Sequence, residues 1–101
     1  MKPDHLSFVS QLDEEDLYRQ ARAGYLEWLQ KDPGVKEELG VPISEIQLVE
    51  RHVKVVFPKA WGPTVEVRID IKSRSGAMIG YYALILEEDF SVQDDFFVIH
   101  P

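Results

Sequence analysis

The sequence contains no cysteine among its 101 residues, which excludes a disulfide framework, thiolate catalysis and any metal site that uses sulfur. Its most apolar stretch, residues 77–86, is too short to cross a bilayer, because a membrane-spanning helix needs about 20 apolar residues. The first five residues are followed by no apolar run of the kind that a signal peptide has. We therefore expect a cytoplasmic protein that does not associate with membranes.

Basic side chains are also few. The chain has 11 lysines and arginines against 18 aspartates and glutamates, which gives a formal net charge of -7. Binding to DNA, RNA or an anionic membrane surface needs a basic patch that displaces counterions, so this balance argues against all three. The excess negative charge keeps a protein soluble, and it also attracts a basic protein partner.

Motifs for nucleotide binding or catalysis are lacking as well. The six glycines are scattered, and neither a Gly-rich phosphate loop nor a G-x-S-x-G elbow occurs. The three histidines are far apart in the sequence, so we predict neither a metal site nor a cofactor. His52 could face Asp70 across two strands, either as a catalytic base with its orienting carboxylate or as an exposed cross-strand contact.

Residues 77–86 are the stretch around which the chain is organised. They carry no charge and do not alternate between apolar and polar side chains, as a strand of a half-solvated sheet would. Turn-forming residues stand on both sides, at 73–76 and 87–89. The stretch therefore predicts a strand that is covered on both faces.

A long amphipathic helix is predicted for residues 14–32. Asp13 is placed to cap its N-terminus, and Pro33 and Gly34 end it. The stripe that faces the core consists of Leu17, Tyr18, Ala21, Tyr25, Trp28 and Leu29. Gly24 lies inside this stripe, where a glycine allows close approach to a sheet.

Three further strands complete the predicted sheet. Residues 64–72 alternate without a break between apolar and charged side chains, and residues 92–100 form the last strand. Residues 43–57 need a bulge near 49–51 to keep their apolar side chains on one face. We therefore predict a single α+β domain over residues 1–101, with one long N-terminal helix packed on a four-stranded antiparallel meander. This order of elements is similar to that of the cystatin-like and NTF2-like folds.

One helix covers one face of such a sheet, so the other face of the last two strands is left apolar. The outward set is Met78, Tyr82, Leu84 and Leu86, or Ile79, Tyr81, Ala83 and Ile85, joined by Phe96 and Val98 or by Phe97 and Ile99. Such a patch on a monomer promotes aggregation, so we predict a two-fold homodimer through this half of the sheet. The alternative is a monomer in which residues 1–12 fold back over the patch.

Two groups of residues are candidates for partner binding. Trp61 lies in a proline-flanked loop, where a tryptophan either anchors a partner or plugs the end of the core. The end of the last hairpin is acidic, and we expect it to bind a basic patch of a partner rather than calcium or magnesium. Its acidic residues are Glu87, Glu88, Asp89, Asp94 and Asp95.

The aromatic row on the helix offers a second kind of site. Tyr18, Tyr25 and Trp28 could line a cavity between helix and sheet together with Tyr82, or they could be ordinary core residues. The leading interpretation is a small acidic, non-catalytic protein with an accessory or regulatory role in protein–protein interaction, acting as a homodimer. The alternative is a small-molecule-binding protein or small enzyme that uses this cavity, with His52 or an acid at its mouth.

Overall fold

The computed structural model describes residues 12–57 and 62–100. The elements are helices α1 (Glu14–Lys31) and α2 (Pro33–Glu38), a 3₁₀ turn (Ile43–Glu45), and strands β1 (Ile46–Val56), β2 (Thr64–Ser73), β3 (Met78–Leu86) and β4 (Val92–Ile99). The strands form one antiparallel sheet in the order β1-β2-β3-β4, an open meander. Helix α1 packs across one face of this sheet. The predicted fold class and element order are confirmed.

Helix α1 follows its sequence signals closely. The carboxylate of Asp13 accepts the backbone N–H of Asp16 at 3.3 Å and so caps the first turn. The helix ends at Lys31, one residue before the predicted end, because Asp32 has an extended backbone and caps α2. The side of α1 that faces the sheet is buried at Leu17, Tyr18, Ala21, Tyr25 and Leu29.

Strand β2 forms the centre of the core. Its inward side chains are Val65, Val67, Ile69 and Ile71, each 0% exposed. Burial of each contributes about 1.5–3 kcal/mol to stability. In β1 the register shifts between Glu50 and His52, which places Leu48 and Val53 on the same inward face although they differ in parity. The predicted bulge is therefore confirmed.

The registers of β3 and β4 decide which apolar side chains face away from the helices. Leu84 pairs with the inward Val67, and Ala83 pairs with the outward Arg68. Ile79 departs from the predicted outward set, since it packs against the core cluster next to a register shift in β3. We call the outward apolar set the open-face patch, and it consists of Tyr81, Ala83, Ile85, Phe96 and Val98.

Both helices pack on the inward face of the sheet, because α1 and α2 contribute their buried side chains to one core cluster with β2 and β3. The open-face patch is thus covered by neither of the described helices. Phe96 is 48% exposed, while Ala83 is 4% exposed. The predicted alternative in which residues 1–12 fold over this patch falls almost wholly outside the described residues.

The other half of the open face carries charged side chains that are paired with each other. His52 Nε2 lies 2.6 Å from Glu66 Oε2, and Lys54 Nζ lies 3.5 Å from the same oxygen. Arg68 Nε lies 3.3 Å from Asp70 Oδ1. The predicted pair of His52 with Asp70 is therefore wrong, because the bulge in β1 places His52 opposite Arg68.

The carboxylate of Glu66 should make stability depend on pH. Burial raises its pKa, but the hydrogen bond with His52 and the charge of Lys54 outweigh burial and lower the pKa from its usual 4.5. Between the lowered pKa and 4.5 the unfolded chain binds more protons, so stability rises with pH in that window. We expect this contribution, at most about 1 kcal/mol, to be lost as the pH falls through the folded-state pKa.

Urea unfolding of the native protein and of Glu66→Gln, measured from about pH 5 to about pH 3, tests this expectation. The native protein should lose more stability over that range than the variant. Glu38→Gln, which changes an exposed acid at the end of α2, is the matched control. Parallel pH profiles for the native protein and Glu66→Gln would contradict the assignment.

Candidate functional site

An open groove runs between α1 and the edge strand β4. Helix α1 packs mainly on β1, β2 and β3, and its Tyr25 and Trp28 side chains reach β4 at the end of the sheet. The resulting space measures about 400 Å³, and an adjoining space of about 280 Å³ extends it along the helix. We call the larger space the edge groove, and its lining residues are Gly24, Glu27, Trp28, Lys31, Asp32, Val92 and Asp95.

Asp95 is the polar centre of the edge groove. It pairs with Leu84 across β3 and β4, and cross-strand partners share a face, so its side chain lies on the helix side. Its Oδ2 accepts two hydrogen bonds of 2.9 Å, one from Trp28 Nε1–H and one from the Tyr82 hydroxyl. The carboxylate is therefore held in a fixed position by two neutral donors.

An aromatic cluster packs against the two side chains that donate to Asp95. The ring of Phe97 on β4 stacks on Tyr25 with a centroid distance of 5.5 Å. Trp28 lies 5.9 Å from Phe97, and Tyr82 meets it edge-on at 6.3 Å. Such aromatic pairs contribute about 0.5–1.5 kcal/mol each beyond their burial. The cluster therefore fixes the rings of Trp28 and Tyr82 against Asp95.

The phenols of Tyr25 and Tyr82 stay protonated at neutral pH. Burial, the hydrogen bond to Asp95 and the negative charge of Asp95 raise the pKa of Tyr82 far above its usual 10.0. Burial also raises the pKa of Tyr25. The Tyr25 hydroxyl is buried and has no hydrogen-bond partner among the described residues. Tyr82 thus acts as a permanent donor to Asp95.

The edge groove is negatively charged overall. Its wall holds the carboxylates of Glu27, Asp32 and Asp95 against the single ammonium of Lys31. The hydrogen bond and charge of Glu27 raise the pKa of Lys31, and Asp95 adds a smaller effect in the same direction. Glu27 and Asp95 therefore both favour the charged form of the Lys31 amine.

The four residues predicted to line a cavity lie in different parts of the structure. Trp28 borders the edge groove, and Tyr82 borders the adjoining space, so the open volume lies beside α1. Tyr25 lies in the packed interior, stacked on Phe97. Tyr18 is buried toward β1, where burial and the charges of Glu14 and Glu50 raise its pKa. A shared ligand site for all four stays a prediction.

The residues predicted to bind a partner also separate. Asp94 is exposed and lies on the open face opposite Ile85, whereas Asp95 turns into the edge groove. Glu88 and Asp89 lie at the β3–β4 turn, beside a cavity of about 610 Å³. Hydrogen bonds from Ser91 hold the pKa of Asp89 below its usual value. Trp61 lies outside the described residues.

The sequence patterns do not single out four residues of the groove: Glu27, Lys31, Asp32 and Val92. Their signal is weak, because Glu27 and Lys31 resemble any solvent-facing i,i+4 pair and Val92 resembles any strand residue. The inward position of Asp95 had a usable signal. It alternates with Phe97 and Ile99, so its parity places an acid among core side chains.

Comparisons of the chain with models of known protein families, with curated proteins and with solved structures find no match. Within residues 12–57 and 62–100, no group of three His, Asp or Glu side chains comes together in a way that would hold a metal ion. No helix in the described part of the chain is long and apolar enough to span a membrane.

Proposed function

We propose that this protein is a cytoplasmic, non-catalytic interaction module with an accessory or regulatory role. It acts as a homodimer through the open-face patch and binds a basic partner. The observation that carries the proposal is the patch itself. Five apolar side chains stand together on a sheet face that both described helices leave uncovered, and Phe96 at its edge is 48% exposed.

A second copy of the chain is the occupant that this surface suits best. In an isologous interface, the same surface patch of the two copies is in contact. A patch of one charge would repel its copy, whereas an apolar patch can pack against its copy. Of the charges that border the patch, Glu66 is paired with His52 and Asp70 with Arg68, whereas Asp94 forms no ion pair with a described residue. The guanidinium of Arg68 also lies over the Tyr81 ring at 3.8 Å. Covering this face therefore leaves few unpaired charges.

Light scattering and sedimentation equilibrium at micromolar concentration test the dimer. We expect the native chain to have twice the mass of one chain. Phe96→Glu places a charge in the apolar contact and should weaken self-association at least about 100-fold. The matched control is Leu26→Glu, which adds the same charge at a leucine that is 51% exposed on α1. A monomeric native chain would overturn the dimer, and so would equal weakening by both variants.

A small-molecule-binding protein is the second candidate, and the edge groove favours it. Its volume of about 400 Å³ lies within the range of ligand pockets, and polar groups converge on it beside an indole ring. The predicted cavity lies between α1 and the sheet, whereas the edge groove lies beside α1. A ligand-dependent change in the Trp28 indole N–H signal would support this candidate.

A further inference from the structure

We infer that the edge groove binds an arginine or lysine side chain of an extended segment of a partner protein, and that this segment lies along the open edge of β4. This role rests on the proposed interaction function, but it does not depend on the dimer, since the groove and the open-face patch lie on opposite faces of the sheet.

The chemistry of the groove selects a cation. Tryptophan is the side chain whose ring attracts cations most strongly, and Trp28 forms one wall. Asp95 and Glu27 supply carboxylates beside it. Both donors to Asp95 approach Oδ2, so neither occupies Oδ1. A guanidinium or ammonium group in the groove would thus lie beside an indole ring and a fixed negative charge.

The ammonium of Lys31 forms an ion pair with Glu27 at this position, and Glu27 and Asp95 both raise the pKa of Lys31. The ion pair that keeps Lys31 at the groove is weak. The Lys31 and Glu27 side chains are 74% and 58% exposed, and such surface pairs contribute about 0–1 kcal/mol. An incoming cation with more contacts can therefore displace the ammonium of Lys31.

The geometry of β4 favours an extended polypeptide over a free amine. Strand β4 ends the sheet, so one side of its backbone has no neighbouring strand among the described residues. The Asp95 N–H donates to Asp94 Oδ1 at 2.8 Å, which places this N–H outside the β3–β4 ladder. A segment added along this edge would align alternate side chains with the groove, as in β-strand addition. The net charge of -7 complements a basic segment.

The test uses the ¹⁵N-labelled 101-residue protein and a blocked peptide of sequence TVRVT. We expect the peptide to shift the Trp28 indole N–H and Asp95 amide signals. Replacement of the arginine by glutamine, in TVQVT, should weaken binding about tenfold or more, because a charge-assisted hydrogen bond is lost. Asp95→Asn and Glu27→Gln should each weaken TVRVT binding to a similar degree. Because Glu27 is exposed on α1, we expect Glu27→Gln to fold normally. It therefore tests the inference even if Asp95→Asn lowers stability.

The matched control is Asp94→Asn, which makes the same change one residue away on the opposite face of β4. It should alter the affinity less than about twofold. Equal weakening by Asp94→Asn and Asp95→Asn would overturn the inference in favour of general attraction to an acidic surface. If ethylguanidinium binds as tightly as TVRVT, the inference is overturned in favour of a site for small cations. If TVRVT leaves the Trp28 indole and Asp95 amide signals unchanged, the groove is excluded as its binding site. Phe96→Glu should still bind TVRVT, which separates this result from failure of the dimer.

Discussion

Gly24→Ala is expected to destabilise the protein by about 2–3 kcal/mol, although alanine normally stabilises a helix by about 1 kcal/mol over glycine. A Cβ atom on Gly24 would lie 2.1 Å from the Tyr82 hydroxyl and 2.8 Å from its Cζ. Tyr82 is fully buried, its hydroxyl is held by Asp95 and its ring meets Phe97 edge-on, so moving the ring away from Gly24 would disturb these contacts. Urea unfolding of both proteins measures the difference.

A double-mutant cycle identifies the cause. Tyr82→Leu removes the ring that the new methyl group would strike, so adding Gly24→Ala to it should cost little. We expect a coupling energy of about 2 kcal/mol between the two positions. Ala23→Gly, at the neighbouring exposed position, serves as the propensity control and should cost about 1 kcal/mol. Additive effects of Gly24→Ala and Tyr82→Leu would show that the close approach is not the cause.

Gly80→Ala is expected to be at least as damaging, at about 3 kcal/mol or more. A Cβ atom on Gly80 would lie 2.0 Å from the carbonyl oxygen of Val98 and 3.0 Å from the Ile99 Cα. These are backbone atoms of the neighbouring strand, so relief requires β4 to move away from β3. The His100 N–H, which donates to the Ile79 carbonyl at 2.8 Å, should then lose protection from hydrogen exchange.

Gly62→Ala is the control for the same chemical change. Its Cβ would lie 3.3 Å from Glu88 Oε2, the mobile end of a side chain, and we expect a change within about 0.5 kcal/mol. Both variants are compared by urea unfolding and by hydrogen exchange of β4. Native protection of the His100 amide in Gly80→Ala would contradict the predicted separation of the strands.

Most of the fold could be predicted from local sequence signals, because the caps and strand alternation that determine it each involve only a few neighbouring residues. The cap at Asp13 and the alternation in β2 depend on neighbours in sequence, and both are confirmed. The outward set of β3 could not be predicted, since residues 77–86 are apolar on both faces. Register shifts beside Lys72 and Leu86 decide it, and these depend on how whole strands pair.

The edge groove was beyond prediction for a related reason. Trp28 and Asp95 are 67 positions apart in the sequence, and nothing local to either residue indicates the other. Asp95 follows Asp94 in the sequence, which groups it with the acidic hairpin end, whereas strand parity separates it from Asp94. The aromatic row on α1 was correctly seen as a feature of the helix–sheet contact. Its open side depends on where α1 crosses the sheet.

Asp94 and Asp95 point to opposite faces of the sheet, as do the open-face patch and the edge groove. A dimer joined through the open-face patch would carry its two edge grooves on its two outer surfaces, pointing away from each other. A partner with two basic segments could then occupy both only if its linker passes around the dimer. With a linker of that length, the second contact becomes intramolecular and the overall avidity rises by about 10²–10⁴ over a single site.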